Sequence, residues 1–309
     1  MQVHKDLDQL PSFRNAVVTI GTFDGVHLGH RQVIERLNTQ ARVTGGESVI
    51  ITFHPHPRRI VSSAILGIRL INTLDEKLEL LRDAGVDHVV VVPFTEAFAN
   101  QPAEEYIRNF LVGRFHPHTV IIGYDHRFGR DRKGDYRLLE QYAPKLGFQL
   151  QEIPKHLLND IGISSTRIRE AMLNGQPGTA ASLLGYEFFF SGLVVDGDKL
   201  GRQLGYPTAN LRVEDEEKLV PANGIYAVYA SLENVPERIR GMMSIGFRPT
   251  VDGKKRVIEV NLFDFNRDIY GQHLRVYTKK YLREEVKFDS LDALVKQIDQ
   301  DKLDSLAVL

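Results

Sequence analysis

Up to about residue 185, short apolar runs alternate with amphipathic stretches. The runs at 16–20, 48–53, 88–92, 119–122 and 148–153 are short, rich in β-branched residues and bounded by Gly, Pro or Asp, which predicts strands. Between them the period changes to that of a helix. Val33, Ile34, Leu37 and Ala41 share one helical stripe, and Thr73 followed by Glu76 has the spacing of a capping box that opens a helix through Leu81. Pro102 with Glu104 and Glu105 suits the first turn of another helix, because that end tolerates Pro and favours acids. A further helix is predicted over 137–145. Strands alternating with helices imply a mostly parallel sheet covered on both faces.

Around residue 185 the rhythm changes. Apolar runs at 188–195, 225–232, 240–245, 256–264 and 273–281 follow one another with Gly-, Pro- and Asp-rich links and no long helix between them. That pattern predicts a small antiparallel β-barrel. One amphipathic helix closes the chain at about 290–304, with Leu291, Leu294, Val295 and Ile298 on its apolar stripe. The expected organisation is an α/β domain over 1–185 and a barrel domain with a terminal helix over 186–309.

Composition narrows the chemistry. The 309 residues are 42% hydrophobic and 26% charged, ordinary for a globular protein of two domains. A formal net charge of −1 argues against a large sequence-independent grip on nucleic acid, while leaving room for a local phosphate pocket. The absence of cysteine excludes disulfides, thiolate metal sites and cysteine nucleophiles. The first residues mix charged and apolar positions without a signal-peptide core, and the apolar runs are too short to span a bilayer. The expectation is a cytoplasmic protein with no nucleic-acid or membrane partner.

Candidate chemistry gathers in two constellations. The first begins with GTFDGVHLGH at 21–30, which follows the first strand and opens the first helix. A helix start offers free backbone N–H groups and partial positive charge to an anion. Gly21, Gly25 and Gly29 let backbone approach a ligand, and His27 and His30 suit donation to phosphate oxygens. Capping of the helix or metal ligation are the other uses of such a histidine pair. The segment has neither the Walker nor the dinucleotide glycine pattern. Far along the chain, GISSTRIR at 162–169 combines a Ser cap at Ser164 or Ser165 with Arg167 and Arg169, which describes an anion site. FHPHP at 53–57 and GYDHRFG at 123–129 end the second and fourth predicted strands, again at a ligand edge. The two histidines of FHPHP lack nearby carboxylates, which argues against a metal.

The second constellation begins with KLGRQLGYPTAN at 199–210. Lys199 precedes a loop in which Gly201 and Gly205 permit close approach to phosphate. Thr208 and Asn210 lie two apart and face the same way on an extended segment, where a hydroxyl and an amide oxygen suit Mg²⁺ arriving with ATP. Glu259 lies on an alternating strand farther on.

GTFDGVHLGH resembles the nucleotidyltransferase signature in the form seen in the FMN adenylyltransferase half of prokaryotic bifunctional riboflavin kinase/FAD synthetases. GISSTRIR is similar to that family's ISSTxIR motif, and GYDHRFG resembles its G-x-D/N-F-R-F-G, with His126 where Phe is usual. In the second half GRQLGYPTANL, the segments around Tyr226, Arg248 and Glu259, and the YLREEVKFD stretch at 281–289 resemble riboflavin kinase in the same order. Asn261 stands where that family usually has His. The resemblance spans about residues 12–305. It implies a Rossmann-like nucleotidyltransferase domain followed by a kinase barrel, with riboflavin, FMN and ATP as ligands and flavins as substrate and product.

It further implies that Gly21, Thr22, Phe23, Asp24, Ser164, Ser165, Thr166 and Arg167 line the ATP phosphates of the first site, with His27 and His30 catalytic. Asp125, Arg127, Phe128 and Arg283 meet flavin or nucleotide. Lys199, Gly201, Gly205, Thr208 and Asn210 serve the kinase ATP, and Glu259 is the general base for the riboflavin 5′-hydroxyl. Two other readings stay open on sequence alone: a chain that keeps only one of the activities, and a flavin or nucleotide sensor without turnover.

Overall fold

The computed structural model describes residues 1–61, 69–123, 126–153, 162–197, 200–233, 235–250 and 253–309. Contacts group them into two units, Met1–Ile68 with Asn72–Ser164, and Arg69–Ile71 with Ser165–Leu309.

The first unit is built on a sheet of β1 (Gln2–His4), β2 (Val17–Ile20), β3 (Ser48–His54), β4 (His88–Pro93), β5 (Thr119–Gly123) and β6 (Gln149–Ile153), in the order β1-β4-β3-β2-β5-β6. Every neighbouring pair is parallel. All five expected strands form. The edge strand β1 was not expected, because three residues are too few to display a period. All four residues of β2 are buried, as are Val49, Ile50 and Ile51 in succession on β3, so both faces are covered.

The predicted stripe of Val33, Ile34, Leu37 and Ala41 is buried on the helix Leu28–Val43. Both hydrogen bonds of the Thr73–Glu76 capping box are present at the start of the helix Leu74–Asp83. The Asp135 side chain caps the helix Tyr136–Leu146. Pro102 starts a helical run at Ala103, but from Tyr106 to Val112 the run widens into π-helical turns that bury Tyr106, Ile107, Phe110 and Leu111.

β2 lies between β3 and β5. From β2 the chain builds β3 and β4 on one side and then returns to build β5 and β6 on the other. The crevice beyond the carboxyl ends of β2 and β5 is therefore the topological switch point, where open α/β sheets bind ligands. The segments 21–30 and 123–129 leave those two strand ends.

The second unit contains the helices Ser165–Leu173 and Pro177–Leu184 and a closed barrel of β7 (Phe189–Val195), β8 (Ala209–Arg212), β9 (Gly224–Leu232), β10 (Ile239–Thr250), β11 (Gly253–Leu262) and β12 (His273–Arg283). The cyclic order is β10-β11-β8-β7-β12-β9 and each recorded pairing is antiparallel. Closure leaves no free sheet edge. Phe190, Val194, Val228, Ala230, Ile245, Val260, Leu274 and Val276 fill it from inside, each at most 2% exposed. The short β8 takes in part of the extended segment expected at 208–210.

Ser290 caps the terminal helix Leu291–Leu306, whose inward face runs from the half-buried Leu294, Val295 and Ile298 of the expected stripe into Asp301 and Ser305. Leu291 is 60% exposed, and the buried positions are Asp301 and Ser305. Asp301 is buried because it meets an arginine, a pairing that hydrophobic periodicity does not register.

Candidate active sites

The turn after β2 is tightly wound. Phe23 (φ 48°), Gly25 (φ 93°) and Val26 (φ 35°) all adopt left-handed backbone, which is unfavourable for Phe and more so for β-branched Val. Such strain persists where surroundings over-determine it, and it concentrates at functional sites. Here Phe23, Asp24 and Val26 are all buried.

The turn delivers His27 to the N-cap of the Leu28–Val43 helix, where Nδ1 accepts the His30 backbone N–H at 3.3 Å. One alternative use of the pair, helix capping, is thus realised by His27. The two rings stack with centroids 3.7 Å apart and planes 12° from parallel. Gly29 makes room for this, because a Cβ there would lie 3.3 Å from the His27 ring. Phe23 packs its ring 5.0 Å from that of His30.

Both histidines are held neutral at pH 7. Burial pushes His27 down to about 4, with Asp24 opposing the shift. Burial also holds His30 well below its usual value, reinforced by the positive fields of His27 and Lys77. His30 Nδ1 is shut off from solvent and has no hydrogen-bond partner among the described residues. A buried polar atom in that condition calls for a ligand or water.

Asp24 is 4% exposed and accepts the Asn72 backbone N–H at 3.4 Å. Gly21 donates its backbone N–H to Ile51 O at 3.0 Å. The structure therefore brings Gly21, Thr22, Phe23, Asp24, His27 and His30 together. It adds Lys77, whose Nζ donates to Thr22 O at 3.2 Å and to Thr52 Oγ1 at 3.0 Å. Sequence reasoning missed Lys77 because a single Lys on an amphipathic helix reads as a solvated position, yet this one is 8% exposed.

On the loop after β5, Arg127 donates to Asp135 Oδ2 at 2.6 Å. Asp135 is held below the usual carboxylate range, first by the Leu138 backbone N–H and also by Arg127. Phe128 is buried and stacks on Tyr106, with centroids 4.8 Å apart. Asp125 lies outside the described residues. Ser164 belongs to the first unit, while Ser165, Thr166 and Arg167 open the helix Ser165–Leu173 of the second.

In the barrel, β11 and β8 pair so that Glu259 lies directly opposite Asn210, which places both side chains on one face. Thr208 Oγ1 donates to Glu259 Oε1 at 3.4 Å. Arg248 on β10 donates to Glu259 Oε2 and to Glu285 Oε1, each at 3.0 Å. Asn261 Nδ2 donates to Pro207 O at 2.7 Å and so anchors the segment that carries Thr208. Gly201 is sterically required, since a Cβ there would lie 2.4 Å from Tyr206 O. Gly205 turns the chain at φ 83°. Lys199 lies outside the described residues. Beside Thr208 a pocket continues past Val194, Arg202, Arg267 and Tyr270, and of these the sequence had suggested none as a site residue.

Arg283 is placed differently from the others. Its Nε and Nη2 grip both oxygens of Asp301 at 2.8 and 2.6 Å, and Nη1 donates to Glu284 O at 2.8 Å. The guanidinium docks the terminal helix on the barrel.

Comparison with known proteins covers both halves. A FAD synthetase family model matches residues 10–167, and a riboflavin kinase family model matches residues 184–309. The chain is 38% identical over 299 residues to the bifunctional riboflavin kinase/FMN adenylyltransferase of Escherichia coli (strain K12), covering 96% of this chain and 94% of that protein. It is 36% identical over 295 residues to the protein of the same name from Bacillus subtilis (strain 168), covering 94% and 92%. Among solved structures, one described as a macrolide-efflux protein from Streptococcus pneumoniae superposes with a TM-score of 0.86 at 33% identity, covering 97% of each chain.

Proposed function

Because this chain belongs to the bifunctional riboflavin kinase/FMN adenylyltransferase family, we propose that its two sites act in sequence, the barrel converting riboflavin to FMN and the α/β unit converting FMN to FAD. The efflux name stays with the Streptococcus protein. The observation that carries this reading is the pairing of one stacked neutral histidine pair at a sheet switch point with one carboxylate–arginine cluster on a closed barrel. Two separate phosphate chemistries need two such sites, and a sensor needs neither.

In the barrel, the riboflavin 5′-hydroxyl oxygen attacks the γ-phosphorus of ATP, the bond to the β-bridging oxygen breaks, and ADP leaves. Glu259 accepts the hydroxyl proton. Its hydrogen bond to Arg248 holds the carboxylate in place and aimed. Gly201 and Gly205 shape the loop over the phosphates, and Lys199 is assigned to the same phosphates on its motif. Thr208 Oγ1 meets Glu259, and Asn210 lies opposite Glu259 on the neighbouring strand, so the three supply hard oxygen donors of the kind that fits Mg²⁺. Thr208 and Asn210 would hold that ion, which when bound with ATP offsets phosphate charge. Among the described residues no group of three or more His, Asp or Glu side chains is placed to hold a metal by itself. Arg283 acts on the flavin side by holding the terminal helix in place.

In the α/β unit, an FMN phosphate oxygen attacks the α-phosphorus of a second ATP and pyrophosphate leaves. His27 and His30, both neutral, donate to oxygens of the transferred group where negative charge grows. Gly21, Thr22, Phe23 and Asp24 form the turn around them. Ser164, Ser165, Thr166 and Arg167 are assigned to the ATP phosphates on their motif, and Asp125, Arg127 and Phe128 to the flavin or nucleotide. The functional domains are taken as 1–185 and 186–309. The protein is proposed to work in the cytoplasm without a nucleic-acid or membrane partner, and no described helix is long and apolar enough to cross a membrane.

The test is direct. Purified protein given riboflavin and MgATP yields FMN first and FAD afterwards when the flavins are resolved by chromatography. FMN without FAD would remove the second activity, and unchanged riboflavin would favour the sensor.

A further inference from the structure

Lys77 has no part in the chemistry described above, yet its placement is hard to explain as packing. Its ammonium is buried, on the face of the Leu74–Asp83 helix that also buries Leu78 and Leu81. Burial pushes it down to about 8, with Asp24 as the opposing charge. The hydrogen bonds it makes go to neutral oxygens, Thr22 O and Thr52 Oγ1. Taking an ammonium out of water for two neutral acceptors is unfavourable, and an apolar side chain of the same length would pack there at lower cost.

What the ammonium does is geometric. Thr52, fully buried on β3, also donates its hydroxyl to Thr22 O at 3.2 Å. The Thr22 carbonyl is thereby gripped by two donors, one on the sheet and one on the helix. In a planar trans peptide the following N–H points the opposite way, so fixing this carbonyl also fixes the direction of the Phe23 N–H. Phe23 opens the turn, left-handed at Phe23, Gly25 and Val26, that leads to His27. A turn with backbone this unfavourable keeps its shape only while its entry is held.

We propose that Lys77 is a positioning residue for adenylyl transfer, locking the Thr22–Phe23 peptide plane and through it the turn that aims His27 and His30. The proposal rests on the reading that these histidines serve FAD formation. Lys77 and Thr52 form a latch behind the turn, on a different element from either histidine. Asp24 sets the charge balance of the latch, because its field favours the ammonium.

The test uses the full chain with Lys77→Met, Lys77→Arg and Thr52→Val. kcat and KM are measured for FAD formation from FMN and MgATP, with circular dichroism and urea unfolding of the same preparation as the control for folding of the first unit. Lys77→Met is expected to lower kcat for FAD formation by about 30- to 100-fold while KM moves less than about threefold, as for a misplaced catalytic group. Lys77→Arg keeps a cation and donors and should recover part of that loss. Thr52→Val removes the second grip and should lower kcat by roughly fivefold.

Retention of wild-type kcat in Lys77→Met would overturn the proposal. So would a loss expressed wholly in KM, which would make Lys77 a substrate-binding residue instead. If Lys77→Met does not fold, Thr52→Val decides alone, with reduced kcat in support and unchanged kcat against. His30→Ala separates the two levels of the argument. Full FAD formation in that variant would sink the histidine reading itself, whatever Lys77 does.

Discussion

Around His27 and His30 the first unit works with neutral rings, backbone groups and a strained turn, whereas around Glu259 the barrel works with full charges held on paired strands. In the histidine site His27 is buried and His30 Nδ1 is shut off from solvent before any ligand arrives. The barrel site is half open, with Arg248 42% and Glu259 27% exposed at their side chains. The difference follows the chemistry proposed for each. A hydroxyl nucleophile has a proton to lose, and a carboxylate oriented by an arginine is placed to receive it. A phosphate nucleophile is already an anion, so the first site needs donors aimed at developing charge and no base.

The largest expected effect falls on the barrel. Glu259→Ala should lower the rate of FMN formation about 1,000-fold, within the range for loss of a general base, and leave FAD formation from added FMN unchanged. His30→Ala should reverse the pattern, lowering kcat for FAD formation by roughly 100- to 500-fold, as for removal of one transition-state donor, with FMN formation intact. Equal losses in both reactions from either variant would erase the contrast between the sites.

A pH titration sharpens the same contrast. His27 is held at about 4 in the folded chain against 6.5 for an exposed histidine. As pH falls from 6.5 towards 4 the unfolded chain takes up the proton first, so stability declines on the acid side, by about 3 kcal/mol for this group. His30 adds to the decline in the same direction, and the charges facing the pair are Asp24 and Lys77. Urea unfolding at pH 7 and pH 4.5 should therefore show a smaller acid loss for His27→Asn than for the parent chain. An equal loss would mean that the ring is not desolvated.

A smaller effect is expected at the terminal helix, where Arg283 grips Asp301 on both oxygens. Asp301→Ala leaves a mostly buried guanidinium without its counter-charge and should destabilise the barrel unit by about 2 kcal/mol. Smaller still is Thr73→Ala, which removes the capping-box hydroxyl and should cost about 1 kcal/mol in the first unit without altering kinase activity.

Much of this architecture was legible beforehand. Strand runs such as 48–53 and the stripe at Val33, Ile34, Leu37 and Ala41 report burial through periodicity, and periodicity is a local property. The Thr73–Glu76 box was readable for the same reason. What escaped reading depends on partners distant in sequence. Asp301 looks like a surface acid until Arg283 is seen beside it, and Lys77 looks solvated until Thr22 and Thr52 close over it. β1 is too short to carry a pattern and is visible only through its pairing with β4. The residues nominated for the two sites came from motif spacing. In the structure Thr208 and Asn210 lie beside Glu259, and Arg283 binds Asp301 of the terminal helix.

The most direct test of two independent sites is complementation in solution. Glu259→Gln and His30→Ala chains are incubated with riboflavin and MgATP, first separately and then mixed, and FAD is measured. Separately, the first should leave riboflavin unchanged and the second should accumulate FMN. The mixture should produce FAD, because FMN released by one chain is a substrate for the other. A mixture of folded chains that accumulates FMN and makes no FAD would contradict the account.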